Sequence, residues 1–118
     1  MVMQHQRWFK MDSNFEILIL KLDENVLVRF ESNVKEGTLF LYNVQTSAFW
    51  FGNKSAFKIL NMLNGEFSIE HICNEYHKIY PNINYTDIKS SIISLLGELL
   101  EKKFLKVINM EVINEFID

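Results

Sequence analysis

The sequence predicts an α+β domain: an N-terminal antiparallel β-meander of three to four strands followed by three α-helices. Three observations carry this. Up to about residue 51 the chain breaks into short apolar or alternating runs divided by polar turns, the pattern of strands. Beyond that point apolar residues recur at three- and four-residue spacing, the pattern of helices. The change of period falls within one stretch. Ala48, Phe49, Trp50 and Phe51 suit a pleated, half-buried strand, Gly52-Asn53 turns the chain, and Ala56, Ile59, Leu60, Met62 and Leu63 repeat helically.

Taken in order, residues 1–14 show no period and read as an arm with Trp8 and Phe9 as its anchor. Residues 15–22 are nearly all apolar, which predicts a strand buried on both faces. Asp23-Glu24-Asn25 is a turn. Residues 26–31 alternate, with Val26, Val28 and Phe30 on one face and Leu27, Arg29 and Glu31 on the other. Residues 33–37 turn again, 38–44 form the next strand, and Gln45-Thr46-Ser47 links to residues 48–51. Asn53 is placed to cap the first helix, and Gly65 to end it in a left-handed conformation. Ser68 caps the second, with Glu70 in its first turn, a stripe of Ile69, Ile72, Tyr76, Ile79 and Tyr80, and Pro81 as its stop. The longest helix opens at Thr86 and Asp87 and runs to about Lys103. Ile88, Ile92, Leu95 and Leu99 form its core stripe, and Ile93, Leu96 and Leu100 form a second apolar flank. Gly97 interrupts it at a cost of about 1 kcal/mol relative to alanine, unless something must approach closely there. Residues 104–108 form a closing strand and 109–118 an acidic tail. No repeat or linker divides residues 1–118, so one domain is expected.

Composition narrows the function. A chain of 118 residues that is 48% hydrophobic has the apolar mass for a core, and 23% charged with 14% aromatic residues is not a disordered composition. A net charge of −3 argues against a general nucleic-acid or anionic-membrane binder. Cys73 is the single cysteine and has no disulfide partner. No signal-like pattern and no apolar run of membrane length occur, so a cytoplasmic location is expected.

Catalytic motifs are absent. His71, Cys73 and His77 lie close in sequence, but on a helix positions six apart point about 240° from one another, so the imidazoles diverge. Cys73 then reads as core and both histidines as its rim. The glycines do not form a phosphate loop, and Glu98 and Glu101 read as a solvated helix face. No enzyme activity, metal or cofactor is expected.

Strands followed by three helices, the last two joined by a short loop, predict a winged helix-turn-helix-like arrangement, whose plain use is DNA binding. The last helix argues against that use. Its first turns carry Asp87, Lys89, Ser90 and Ser91 without arginine, and its cations are Lys89, Lys102 and Lys103 alone.

Residues 49–51, Asn53, Ala56, Ile59 and Gly65, then Ser68, Ile69 and Ile72 with Tyr76 and Tyr80, then Leu99, Leu100, Phe104 and Leu105 make up a recognisable pattern. It resembles the PqqD-like family of peptide chaperones, also called RiPP recognition elements, over residues 25–108. Gly52 stands where that pattern has leucine, and Lys103 where it has glycine before the closing strand. The last helix is about one turn longer. Residues 15–22 have no place in the family's three-stranded sheet; they either lengthen it or are exchanged between the subunits of a homodimer. The resemblance implies a non-catalytic adaptor that binds the leader segment of a ribosomally synthesised precursor peptide. It would present that peptide to a modifying enzyme such as a radical SAM maturase. The leader would add as a strand to the edge formed by Ser47, Ala48, Phe49, Trp50 and Phe51. Ile93, Leu96 and Leu100 would line the groove, with Lys89 and Lys103 meeting acidic leader residues at its rim. Two alternatives remain on the sequence alone: a winged-helix DNA-binding transcription regulator, and a structural subunit that dimerises through its own edge strand.

Overall fold

The computed structural model describes residues 15–109, so the predicted arm 1–14 and the tail beyond Asn109 lie outside the described residues. The chain forms β1 (Leu20–Leu22), β2 (Val26–Glu31), β3 (Thr38–Asn43) and β4 (Ala48–Asn53), then α1 (Lys54–Leu60), α2 (Ile69–Ile79), α3 (Tyr85–Glu101) and β5 (Leu105–Val107). The strands make two separate antiparallel units. β2, β3 and β4 form a meander with β3 in the middle, and β1 pairs with β5.

Alternation along β3 sets the layers. Leu39, Leu41 and Asn43 are buried beneath the sheet, while Thr38, Phe40 and Tyr42 lie half-exposed on its outer face. The inner face meets Ala56, Ile59 and Leu60 of α1, and the core continues through Ile69, Ile72 and Cys73 of α2 to Ile88, Ile92, Leu96 and Leu99 of α3. At the sheet's other margin the ring of Phe30 stacks on Phe57 of α1, centroids 4.2 Å apart. The β2–β3 turn holds Lys35, Glu36 and Gly37 at positive φ; a side chain at Gly37 would also run into the Phe30 ring, so glycine is required there twice over.

Residues 15–22 depart from the expected strand. Leu18 N–H bonds back to the Phe15 carbonyl, so the segment begins as a turn, and only Leu20–Leu22 is extended, with Lys21 exposed. The cause lies at α2. The Glu16 and Leu18 carbonyls accept the Glu70 and Ile69 amides at 3.0 and 2.9 Å, serving helix donors that have no partner within the helix. These carbonyls are thus committed to capping, and Phe15 and Leu18 are buried as core. The segment does not lengthen the meander. It pairs with β5.

Helix ends follow their caps. Asn53 accepts from Ala56 N at 2.9 Å and Ser68 from His71 N at 3.2 Å, as their positions predict. α1 stops at Leu60, earlier than expected, because Met62 and Leu63 amides turn back onto Ile59 and Leu60 in tighter bonds. Gly65 has positive φ but lies beyond that helix and does not cap it. In α2 the outer end of the predicted stripe is incorrect: Ile79 is exposed. An alanine methyl at Gly97 would meet nothing within 4 Å, so no close approach explains that glycine.

The end of α3 accounts for the unusual Lys103. Phe104 N bonds to Leu99 O at 2.9 Å and Lys103 N to Leu100 O at 3.1 Å, a Schellman termination with Lys103 left-handed at φ 68°. This is the position at which glycine is otherwise expected. Among the described residues no helix is long and apolar enough to cross a membrane.

Candidate functional site

β4 is an edge. It pairs with β3 from Ala48 opposite Asn43 to Asn53 opposite Thr38, and among the described residues no strand pairs with its other side. In an antiparallel pair the backbone groups of alternate residues point away from the partner, so β4 presents a row of N–H and C=O groups outward. None of its six residues is charged. Edge strands are commonly blunted by lysine, proline or a bulge, and β4 has none of these.

Alternation also decides the faces. Ala48, Trp50 and Gly52 turn inward; Phe49 and Phe51 turn outward and are 65% and 61% exposed. Neither phenylalanine is core. Both rings are braced by the neighbouring strand, Phe49 by Tyr42 at 4.5 Å and Phe51 edge-on by Phe40 at 5.3 Å, and they lie parallel to each other. With Leu27, also exposed on β2, they make an apolar patch on the outer face of the sheet, which Arg29 and Glu31 of β2 border.

On the inner side the indole of Trp50 lies across Gly52. A Cβ at Gly52 would fall 2.3 Å from that ring, so the absence of a side chain is what lets the indole lie flat along the strand. Trp50 Nε1 donates to Glu98 Oε2 of α3 at 2.9 Å, and Lys102 Nζ lies 2.9 Å from the same oxygen. The Lys102 ammonium first, and the indole donor second, hold the Glu98 carboxyl below its ordinary range. This side-chain strut links β4 to α3.

That strut identifies which flank of α3 faces β4. Lys89 pairs with Glu16 at 3.1 Å, and Lys89 lies nine residues from Glu98, about two and a half turns, so the two point to opposite sides of the helix. The flank carrying Lys89, Ile93 and Leu100 therefore faces away from the edge, and Ile93 and Leu100 are half-buried against the core. Leu96 is 0% exposed and is core, not groove wall. The groove wall expected from sequence is thus corrected. The residues that share the Glu98 flank are Leu95, Ser94 and Ser91, three, four and seven positions earlier. Lys103 is exposed, and its carbonyl accepts Asn43 Nδ2 at 2.8 Å, which places it at the hairpin end of β4 beside Ser47 and Ala48.

Asn43 is a determinant that sequence reading missed. Its side chain is buried; besides holding the Lys103 carbonyl, its Oδ1 accepts Gln45 N and Thr46 N at 2.8 and 3.0 Å. One amide therefore shapes the turn into β4 and ties it to the end of α3. The available signal was an asparagine at an inward register of an otherwise apolar strand. Glu98, read with Glu101 as a solvated helix face, instead accepts the Trp50 indole N–H, a partner 48 residues away that helix spacing does not report.

Elsewhere, Cys73 is buried and its thiol is pushed up to about 11, chiefly by that burial. His71 packs on Phe67 and His77 on Tyr85, on separate parts of α2. Among the described residues no three His, Cys, Asp or Glu side chains converge as a cation site. No family model, curated protein or solved structure matches the chain.

Proposed function

We propose that the protein is a non-catalytic peptide-binding adaptor of the PqqD-like kind, taking up a precursor's leader segment by β-augmentation on β4 and presenting it to a modifying enzyme, such as a radical SAM maturase. The observation that carries this is the open, uncharged β4 edge, tied to the neighbouring helix by the Trp50–Glu98 strut. Strand addition needs unpaired backbone groups for affinity and flanking surfaces for alternate side chains. Here Phe49 and Phe51 receive outward-facing guest residues, and Trp50 with Leu95 receives inward-facing ones. Lys102 and Lys103 lie at the hairpin end, where they favour an acidic guest residue. The order of meander and three helices fits a winged helix-turn-helix-like arrangement. A DNA-reading role fits poorly, because exposed positions along α3 include Asp87, Glu98 and Glu101. Ordering a free peptide costs on the order of 2–5 kcal/mol, so affinity near micromolar is expected.

The test is titration with the leader of the precursor encoded beside this protein, followed by amide hydrogen exchange. Saturable binding that protects amides within β4 is the expected result. Binding that leaves β4 unprotected, or no binding with the modifying enzyme present, would sink the proposal.

A further inference from the structure

We infer that β4 also pairs with β4 of a second copy, antiparallel about a two-fold axis through Trp50, in a weak dimer that occupies the edge at high concentration. The strand is nearly the same read in both directions. Ala48, Phe49, Trp50, Phe51 and Gly52 place small, aromatic, aromatic, aromatic and small residues about Trp50. A two-fold interface requires that kind of self-complementarity, since each residue meets its mirror position on the partner. In this register Phe49 faces the partner's Phe51, Ala48 faces the partner's Gly52, and the two Trp50 residues face each other.

The outer face of the sheet already shows the preferred contact. Tyr42 packs on Phe49 and Phe40 on Phe51 across the β3–β4 ladder. Self-pairing repeats that contact on the free side of each phenylalanine and extends both rows of rings across the seam. Charge selects β4 over the other open edge. β4 brings no charge to the seam, whereas β2 carries Arg29 and Glu31 on its outer face, and pairing β2 about Arg29 would set two guanidinium groups opposite each other.

Area sets the strength. Two six-residue strands with four partly exposed phenylalanines cover several hundred Å² at most, short of the roughly 1,200–2,000 Å² of stable complexes. The dimer is therefore weak and exchanging. Its edge groups are the same ones a guest strand requires, so dimer and guest exclude one another; this clause rests on the function proposed above, while the pairing itself does not.

Sedimentation velocity of the full chain across roughly micromolar to millimolar concentrations tests the pairing. Wild type is expected to move from its 14.0 kDa mass toward twice that value. Two variants test the register. Phe49→Glu with Phe51→Lys sets opposite charges across the two-fold seam, and Phe49→Glu with Phe51→Glu sets like charges there. The first is expected to dimerise at least about tenfold more tightly than the second, with the gap closing at high salt. Mixing the doubly acidic variant with Phe49→Lys/Phe51→Lys restores a dimer, which guards against a variant that merely folds poorly. A wild type that stays monomeric throughout, or variants that associate equally, overturns the inference. Leader titration at concentrations where the chain is monomeric reads the adaptor function separately. A guest that binds without dissociating the dimer overturns the competition, and a guest that binds a permanent monomer overturns the pairing alone.

Discussion

Replacing Phe49 and Phe51 with alanine separates recognition from folding more sharply than any other change on the sheet. Each ring is already about two-thirds exposed, so folding has little to lose beyond the cross-strand contacts with Tyr42 and Phe40. Such pairs contribute about 0.2–1 kcal/mol each relative to alanine, so the double variant should lose about 0.4–2 kcal/mol in a urea melt. Binding has more to lose. A phenylalanine presents on the order of 200 Å², and a guest strand beside it covers about half of what is exposed, close to 60 Å². At about 25 cal/mol per Å² that is about 1.5 kcal/mol per ring, or about tenfold in Kd for each and about a hundredfold for both. Fluorescence anisotropy of a labelled leader measures this directly. Unchanged affinity would show that the outer face takes no part in recognition. A stability loss of several kcal/mol would show instead that the rings are core.

Leu96→Ala should cost about 2–5 kcal/mol of stability, as a fully buried leucine does, and should leave leader affinity unchanged once the folded fraction is counted; a selective loss of binding would return Leu96 to the groove. Lys103→Gly should stabilise the protein by about 1 kcal/mol in the same melt, because it relieves a left-handed lysine inside an intact helix termination; destabilisation would mean the lysine side chain holds something its backbone does not. Glu98 supplies a pH dependence. Its folded pKa lies below the ordinary value of 4.5, so its contribution is present above that value and fades as the pH falls through the depressed one. With Trp8→Phe leaving Trp50 as the remaining tryptophan, emission should shift in acid below about pH 4.5, and Glu98→Gln should abolish the shift; an unaltered acid transition in Glu98→Gln would assign it to other carboxylates.

The meander and the helix starts were legible because each rests on local chemistry. Two-residue alternation places Leu39 and Leu41 inside and Phe40 and Tyr42 outside, and Asn53 and Ser68 carry the side-chain acceptors that helix starts require. Residues 15–22 were misread because their apolar content says they are buried but not what their carbonyls bind. The partners, Ile69 N and Glu70 N, lie about fifty residues away in the chain. The flank of α3 facing β4 was misread for a related reason. Apolar periodicity reports how wide a buried arc is, while its orientation depends on contacts such as Lys89 with Glu16 and Trp50 with Glu98. The open edge was expected only through the resemblance, since periodicity marks residues 48–51 as a strand and whether its far side stays unpaired depended on where residues 15–22 went.

The β1–β5 ribbon has a use in the laboratory. Ile19 N bonds to Asn109 Oδ1 at 3.0 Å and Ile108 N to Ile19 O at 3.0 Å, so the first and last described segments run side by side. A linker that joins the end of the ribbon to a point ahead of Phe15, so that Phe15 and Leu18 stay in the core, would close the polypeptide into a ring, and new ends could be cut in the exposed turn at Ser32 and Asn33. A permuted molecule of that kind would carry β4 intact on a scaffold whose ends have moved to the opposite margin of the meander.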